Sequence, residues 1–359
     1  MAPTLQQVDR TYVKFRGRRL AYFAGCDYFR LSSDPRVVKA VGVGLKRYGL
    51  NVAASRLTTG NHVLYQRLER GLAAFFGAEG AVLAANGYTA NLLVAQTLAG
   101  RFSHVLIDEK AHGSQLDAAH VMDCPVVKFK HRDPDDLARI IQRLGEIQPV
   151  VMTDGLFPGD GAIAPIEAYL AVLPAGGRLM VDDAHAGGLL GKRGRGTPEC
   201  AGVSSPVMIQ TVTLSKAFGA YGGAVLGTRE LISEVVARSR MFAGNTPVPL
   251  PLVAGALESL AIMRKSGKNL RKRLADNVIY LKAKLRAGGF PVPDFPTPII
   301  PLTPASVAER ERLRRKLLAR GVFPSFINYP GAPEGGYYRF VISSEHTRGQ
   351  LDALAGALT

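Results

Sequence analysis

Apolar residues along this chain follow two different spacings. One set recurs every four residues, which is typical of a helix: Leu64, Leu68, Leu72 and Phe76. Asp133-Pro134 predicts the start of another helix, because proline in a first turn loses no hydrogen bond. Its inner face would carry Leu137, Ile140, Ile141 and Leu144. Short, mostly apolar runs predict strands buried on both faces, at residues 81–84, 104–107, 149–153, 179–181, 208–214 and 224–226.

Helix and strand patterns alternate from about residue 35 to residue 240, which predicts a mostly parallel sheet with helices on both faces. A proline cluster at 247–251 ends this alternation of helix and strand patterns. Long helical patterns follow, with strand-like runs at 297–302 and 337–343, and these predict a smaller α+β domain. We therefore expect three parts: an N-terminal segment (1–34) that joins the small domain, a large domain (35–245) and a C-terminal small domain (246–359).

Lys216 follows an apolar strand run in the sequence TLSKAFG. Ligands of such sheets bind beyond the carboxyl ends of the strands, where this lysine falls. A lysine there, near the hydroxyls of Thr213 and Ser215, can hold pyridoxal phosphate as a Schiff base while the hydroxyls and backbone N–H groups bind its phosphate. Taken alone, a solvated surface lysine is the commoner explanation.

Asp182 ends another apolar run, in RLMVDDAHAGG, and His185 follows three residues later. A carboxylate at Asp182 can keep a pyridine nitrogen protonated, which makes the ring an electron sink, and His185 can reach the phenolate oxygen of the ring. The alternative is that Asp182 and Asp183 cap a helix and that His185 is an ordinary loop histidine. The combination with Lys216 favours the cofactor site.

The chain of 359 residues has 45 basic and 29 acidic side chains, a formal net charge of +16. The charge is spread over helical patterns of the C-terminal third, which favours solvated helix faces. Attraction of a coenzyme A thioester or an acidic carrier protein is the functional alternative, and no nucleic-acid-binding motif accompanies the charge.

Cys26, Cys124 and Cys200 lack the spacing of a zinc site or a disulfide framework, and no eighteen apolar residues run together. We expect a cytoplasmic protein without metal, nucleic acid or membrane insertion.

Motifs in a consistent order extend over nearly the whole chain: DYFRLSSDPRVVKA, SRLTTGNHVLYQRLERGLAAFFG, ANGYTANL, DEKAHGSQLDAA, TDGLFPGDG, VDDAHAGGLLGKRGRG, TLSKAFG and YYRFVISSEHT. With these motifs the chain resembles the α-oxoamine synthase family, pyridoxal-phosphate enzymes of the aspartate-aminotransferase fold, also called fold type I. The resemblance implies a mostly parallel seven-stranded sheet with helices on both faces, a smaller α+β C-terminal domain and pyridoxal 5′-phosphate as cofactor.

The resemblance also implies roles for the residues that match the family motifs. Lys216 would form the Schiff base and act as acid and base at the substrate Cα. Asp182 would pair with the pyridinium and His185 with the phenolate oxygen. His112 would lie over the ring face, although without its motif it would be taken for a helix-capping or surface histidine.

The phosphate would be held at a helix start by the backbone N–H groups of Gly87 and Tyr88, next to Asn86, and by the Thr213 hydroxyl. Thr246 matches a threonine that in the family reaches the phosphate of the other subunit, so a homodimer with shared active sites follows. Arg339 would bind the carboxylate of an amino-acid substrate, since a planar guanidinium suits bidentate contact.

The sequence departs from the family pattern where the substrate is bound. Cys26 stands in place of the asparagine, and Arg30 in place of the glycine, of the usual N-D-Y-L-G-L. Pro158 replaces the serine of F-S-M-D-G, and Asn86 replaces the serine of S-G-F/Y. Neither cysteine nor proline offers an equivalent donor to help Arg339 orient the substrate.

The family reaction condenses an α-amino acid with an acyl thioester of coenzyme A or acyl carrier protein, with loss of CO2, to an α-amino ketone. We therefore expect a pyridoxal-phosphate-dependent acyltransferase. Transamination, aldol cleavage or elimination on the same scaffold stays open because of the altered residues. A binding protein with a vestigial cofactor site is a third hypothesis, favoured only by the charge.

Overall fold

The computed structural model describes residues 3–328 and 333–359. The chain divides into two compact units. The small unit comprises Met1–Ser33, Pro158–Ala162 and Asn269–Thr359, and the large unit comprises Asp34–Phe157 and Ile163–Lys268.

The small unit begins with an antiparallel meander of three short strands: β1 (Gln6–Gln7), β2 (Tyr12–Phe15) and β3 (Arg18–Ala21). Gly17, between β2 and β3, has a φ of +78°, a left-handed conformation that glycine adopts without strain. Val13 and Leu20 are buried with Phe323 in a core of their own, which fixes the meander on the small unit.

The large unit is built on a seven-stranded sheet: β4 (Gly80–Ala84), β5 (His104–Asp108), β6 (Val126–Phe129), β7 (Pro149–Asp154), β8 (Arg178–Asp182), β9 (Met208–Thr213) and β10 (Gly223–Gly227). The strand order is β4-β10-β9-β8-β7-β5-β6, and only β10 runs antiparallel to its neighbours. This confirms the predicted mostly parallel sheet. The apolar runs did not predict β6, because its VVKF segment is short and contains Lys128.

Ten helices begin in the large unit: α1 (Pro35–Tyr48), α2 (Val63–Phe76), α3 (Gly87–Leu98), α4 (Gly113–Val121), α5 (Pro134–Leu144), α6 (Ile166–Val172), α7 (Thr197–Ala201), α8 (Arg229–Arg238), α9 (Arg240–Gly244) and α10 (Leu250–Ala287). The predicted apolar stripe of α2 is buried. As predicted, α5 starts after Asp133, whose carboxylate accepts from the backbone N–H of Asp136.

The core of the large unit lies between α3 and the sheet. Leu93, Val94 and Leu98 of α3 are buried in one cluster with strand residues such as Val105 and Met152. Burying one such side chain contributes about 1.5–3 kcal/mol, so this layer holds the strand ends in fixed positions.

Helix α10 has 38 residues and is about 57 Å long at 1.5 Å per residue. Its first turns pack on α1 and α2 through glycines: a Cβ at Gly71 would lie 2.7 Å from Leu260 Cδ2, and one at Gly44 would lie 2.9 Å from Pro251 Cα. Because of this packing the division between the units falls within α10, after Lys268, rather than after residue 245 where the sequence placed it.

The small unit is completed by a second antiparallel sheet and two helices: β11 (Ile299–Leu302), α11 (Val307–Ala319), β12 (Phe326–Ile327), β13 (Tyr337–Val341) and α12 (Arg348–Leu358). Strand β13 lies between β11 and β12. The strand-like runs at 297–302 and 337–343 thus contain β11 and β13. Within the described ranges, no helix combines the length and apolar character that a bilayer crossing requires.

Candidate active site

A cavity of about 200 Å³ lies at the carboxyl ends of β7, β8 and β9 in the large unit. Eight of the nine residues predicted to bind the cofactor line it, although they come from four separate segments of the chain. The lining residues are Asn86, Gly87, Tyr88, His112, Ser114, Asp154, Asp182, Ala184, His185, Thr213, Ser215 and Lys216.

Asp182 is the last residue of β8 and is 7% exposed. Its Oδ2 accepts a 2.7 Å hydrogen bond from Asn91 Nδ2, and its Oδ1 accepts a 2.9 Å hydrogen bond from the Ala184 N–H. Asn91 is fully buried and in turn accepts from Thr211 Oγ1 at 2.6 Å. Both carboxylate oxygens of Asp182 therefore accept hydrogen bonds, which fix the orientation of the side chain.

Asp183 has a structural role. Its carboxylate accepts from the Thr197 N–H at 2.8 Å, from Thr197 Oγ1 at 2.6 Å and from Gln210 Nε2 at 2.6 Å. Burial raises the pKa of Asp183 to about 6. A Cβ at Gly155 or at Gly196 would collide with this carboxylate. Of the two acids considered for helix capping, Asp183 accepts from the N–H of Thr197, the first residue of α7, and Asp182 does not.

Lys216 lies two residues beyond the Leu214 that follows β9, and its side chain lines the cavity. Thr213 Oγ1 lies 2.7 Å from Ser215 Oγ and donates to the Gly222 carbonyl at 3.3 Å. A Cβ at Gly87 would lie 3.0 Å from Thr213 Cβ. The absence of a side chain at Gly87 therefore lets the start of α3 approach the end of β9.

The start of α3 is closed by a capping box. Asn86 Oδ1 accepts from the Thr89 N–H at 2.9 Å, and Thr89 Oγ1 accepts from the Asn86 N–H at 3.0 Å. The N–H groups of Gly87 and Tyr88 precede the first intrahelical hydrogen bonds and carry the positive end of the helix dipole. This end of the cavity therefore suits a phosphate.

His112 both caps a helix and lines the cavity. Its Nδ1 accepts from the Ser114 N–H at 3.2 Å and lies 2.8 Å from Ser114 Oγ. Its backbone N–H donates to Asp154 Oδ1 at 3.2 Å. His185, 8% exposed, is a second histidine of the lining. The capping and cofactor interpretations of His112 are thus compatible.

Sequence reasoning missed Asp154, Asn91 and Ser114. Asp154 ends β7, pairs in register with Asp182 of β8 and is 3% exposed. Burial, and then the charge of Asp182, raise the pKa of Asp154 well above its ordinary value. The signal was available, because the apolar run at 149–153 ends at this carboxylate. Asn91 links Asp182 to Ser114, whose Oγ accepts from Asn91 Nδ2 at 2.9 Å.

Thr246 lies outside the cavity lining. It is exposed, in the segment between α9 and α10.

The predicted substrate residues lie together in the small unit. Arg339 of β13 donates from Nη1 to the Pro158 carbonyl at 3.5 Å. Cys26 is half-buried and is hydrogen-bonded to the hydroxyl of Tyr28, which is fully buried. Burial, and then the neighbouring Cys26, raise the pKa of Tyr28, whereas the charge of Arg339 acts in the opposite direction. Glu345, an acid six residues beyond Arg339, forms ion pairs with Arg10 and Arg273.

Arg30, which replaces a family glycine, keeps a conformation that favours glycine. Its φ is +52°, and the residue is 5% exposed. The backbone carbonyl of Arg30 accepts from Arg10 Nη2 at 2.9 Å, while Arg30 Nη2 donates to the Tyr22 carbonyl at 3.1 Å. These contacts offset the 1–2 kcal/mol, roughly, that a left-handed conformation costs a residue with a Cβ.

Comparison with known proteins decides the family. Residues 29–358 match the family Aminotransferase class I and II. The chain belongs to it. It is 34% identical to an 8-amino-7-oxononanoate synthase of Trichlorobacter lovleyi, over 99% of this chain and 93% of the relative. A protein of the same name from Thioalkalivibrio sulfidiphilus is 36% identical, over 95% of this chain and 88% of the relative.

Solved structures give the same result. The serine palmitoyltransferase of Sphingomonas wittichii superposes with a TM-score of 0.93 at 27% identity, over 100% of this chain and 92% of that one. The 8-amino-7-oxononanoate synthase of Francisella tularensis superposes with a TM-score of 0.82 at 25% identity, over 94% and 96%. A further structure, described as SPT with a PLP internal aldimine, has a TM-score of 0.92 at 27% identity, over 99% and 91%.

These findings confirm the α-oxoamine synthase family, fold type I, pyridoxal phosphate as cofactor and acyl transfer from a thioester as the reaction class. They do not favour transamination or lyase chemistry for this chain. The cavity fits the cofactor, because it places a lysine, a buried carboxylate with both oxygens hydrogen-bonded, and an open helix start around one space.

Proposed function

We propose that this acyltransferase is of the 8-amino-7-oxononanoate synthase type and joins alanine to a seven-carbon dicarboxylic acyl thioester. The observation that carries the proposal is the near full-length similarity to relatives of that name. The product in their name has nine carbons, a ketone at carbon 7 and an amino group at carbon 8. Condensation with loss of CO2 builds it from seven acyl carbons and the two carbons that alanine retains.

When bound, pyridoxal phosphate supplies an electron sink that stabilises negative charge at the Cα of the amino acid. We assign Lys216 Nζ the attachment of the cofactor and the removal and return of the Cα proton. Asp182 would hold the proton on the pyridine nitrogen, and its two hydrogen bonds support this role because they fix the position of the carboxylate. His185 would hold the phenolate oxygen, and His112 would lie over the ring, in keeping with their place in the cavity lining.

The phosphate, in this proposal, is bound by the N–H groups of Gly87 and Tyr88 and by the Thr213 hydroxyl, with Asn86 fixing the start of α3. The anion-binding property of a helix start supports the assignment.

Arg339 is proposed to bind the carboxylate of the amino acid. Its contact with the Pro158 carbonyl orients the guanidinium, so that Pro158 acts through its backbone where the family has a serine side chain. Cys26, fixed by Tyr28, takes the place of the family asparagine and offers only a weak donor.

We further propose a homodimer in which Thr246 reaches the phosphate site of the partner. An exposed apolar surface on α1 and the following loop supports this: Val38, Leu45, Leu50 and Leu57 are each about half exposed or more. Large exposed apolar patches mark interaction surfaces.

A cytoplasmic location is proposed as well, in keeping with three free thiols.

The acyl group arrives on a polyanionic carrier, either coenzyme A or an acidic carrier protein. A groove of about 1060 Å³ between α1, α2 and α10 supports this, since seven basic side chains and a single acidic one, Glu258, line it. The basic side chains are Arg36, Lys39, Arg47, Arg67, Arg70, Arg264 and Lys265.

The test is a matrix of substrates. Alanine, glycine and serine are each combined with heptanedioyl, acetyl and palmitoyl thioesters, and product masses are recorded. We expect turnover with alanine and the heptanedioyl thioester, with CO2 released. Turnover with serine and palmitoyl thioester alone would contradict the proposed substrates but not the reaction class.

A further inference from the structure

Two carboxyl groups lie side by side at the sheet edge that borders the cavity. Asp154 and Asp182 end β7 and β8, and they are direct register partners in this parallel pair. Adjacent strands are about 4.8 Å apart, so the two side chains are close neighbours. Both residues line the cavity, and they are 3% and 7% exposed.

The hydrogen bonds of the two groups differ. Both oxygens of Asp182 accept from donors, Asn91 Nδ2 and the Ala184 N–H. Asp154 Oδ1 accepts from the His112 N–H and from Gln115 Nε2. Asp154 Oδ2 is buried and has no hydrogen-bond partner among the described residues. A buried carboxylate oxygen without a donor is costly, whereas a protonated Oδ2 carries no charge and can itself donate.

We propose that Asp154 and Asp182 form a carboxyl pair that holds one proton, with the proton on Asp154 and the charge on Asp182. Two carboxyl groups this close do not both ionise readily, because the two negative charges repel each other. Asp154 is then a positioning residue: as a neutral acid it lets Asp182 remain the anion, and it fixes the backbone of His112. The inference deepens the role proposed for Asp182.

The other charged and titratable groups around Asp154 are consistent with this assignment. His112 approaches from α4, Lys216 from the loop after β9 and His185 from the loop after β8. Burial and the charge of Asp182 raise the pKa of Asp154, and the Lys216 ammonium acts in the opposite direction. The influence of Lys216 is smaller than those of burial and of Asp182.

Infrared spectroscopy of the purified holoenzyme tests the proton directly. We expect the carbonyl stretch of a protonated carboxylic acid at neutral pH, absent from Asp154→Asn. In Asp182→Asn the band should disappear at a lower pH, because the neighbouring charge is gone. Asp135→Asn, an exposed acid at the start of α5, is the matched control and should leave the band unchanged. A wild-type enzyme without the band, or a band that survives Asp154→Asn, would overturn the proposal.

Cofactor affinity and the pH profile of cofactor absorbance test the positioning role. Asparagine resembles a neutral aspartic acid, so Asp154→Asn should change the dissociation constant by less than about threefold and leave the pH profile in place. Asp154→Leu removes the acceptor for two donors and should weaken cofactor binding about tenfold or more. If Asp154→Asn shifted the profile as much as Asp182→Asn, Asp154 would be the charged member and the proposal would be wrong.

The carboxyl pair and the role proposed for Asp182 are tested by different measurements, so one can fail while the other stands. If the infrared band behaves as expected but Asp182→Asn leaves the absorbance of the cofactor unchanged, the carboxyl pair stands and the role proposed for Asp182 is wrong.

Discussion

Replacing Asp182 by asparagine removes a charge from the cavity with almost no change in volume. In the wild-type protein both carboxylate oxygens accept hydrogen bonds, from Asn91 Nδ2 at 2.7 Å and from the Ala184 N–H at 2.9 Å. An asparagine has one oxygen and one NH2 group. Whichever way its amide is turned, the NH2 group meets one of these donors, so one hydrogen bond is lost.

We expect the replacement to have two effects, one on stability and one on catalysis. Leaving a buried donor unpaired costs about 1–3 kcal/mol, so the variant should fold but melt at a lower temperature. The loss of the negative charge that Asp182 is proposed to place opposite the pyridine nitrogen should lower kcat by about a hundredfold or more, as removal of other preorganised electrostatic partners does. Cofactor should still bind, because Lys216 and the start of α3 are unchanged.

The assay is steady-state turnover at saturating substrates, with bound cofactor measured by absorbance and stability by thermal unfolding. Asp183→Asn is the matched control. It removes a charge one residue away, in the network with Thr197 and Gln210, and should lower stability while keeping the cofactor spectrum of the wild type. Turnover near the wild-type rate in a folded Asp182→Asn variant would refute the reasoning.

Three further predictions can be checked independently. Borohydride reduction of the holoenzyme followed by peptide mapping should place a pyridoxyl group on Lys216, and a label on another lysine would contradict the assignment of the cofactor site. Arg339→Ala should weaken amino-acid binding by at least about tenfold, because charge-assisted hydrogen bonds contribute roughly 1.5–3 kcal/mol each, while the resting absorbance stays as it is; unchanged affinity in a folded variant would count against carboxylate binding. The pKa of Asp154 is raised in the folded chain, so this group favours folding below its unfolded pKa and opposes folding as pH rises above that value. Asp154→Asn should therefore gain stability relative to the wild type between about pH 4 and pH 7 in pH-dependent unfolding, and a constant difference across this window would exclude the linkage.

The sequence predicts a site residue when the evidence for it lies within one short segment of the chain. Asp182 and Lys216 were found because each follows an apolar run whose end can be read directly, and both line the cavity. Asp154 also ends a strand, but it was missed. Its importance depends on the pairing of β7 with β8, and no local sequence pattern predicts that pairing. Asn91 lies in an apolar helix run, where a buried polar residue is identified only once its partners are known.

The same limit applies to the fold. The alternating patterns predicted a mostly parallel sheet, but β6 was too short and too polar to be recognised. The division after Lys268 depends on the packing of α10 against α1 and α2, which involves Gly44 and Gly71. Proline positions gave a plausible boundary at residue 245, but a proline marks where a helix begins and not which unit that helix packs in.

The contact of Asp183 with Gly155 and Gly196 limits how this chain can vary. Neither glycine leaves room for a methyl group beside the carboxylate, and Gly196 also has a φ of +93°. Alanine at either position would displace the carboxylate from Thr197 and Gln210, and a shorter side chain at position 183 would leave a gap that these glycines cannot fill. A change of side-chain size at any of the three positions is therefore tolerated only in combination with the others. A library that randomises them one at a time should recover the present glycines and, at position 183, aspartate or the equally large asparagine.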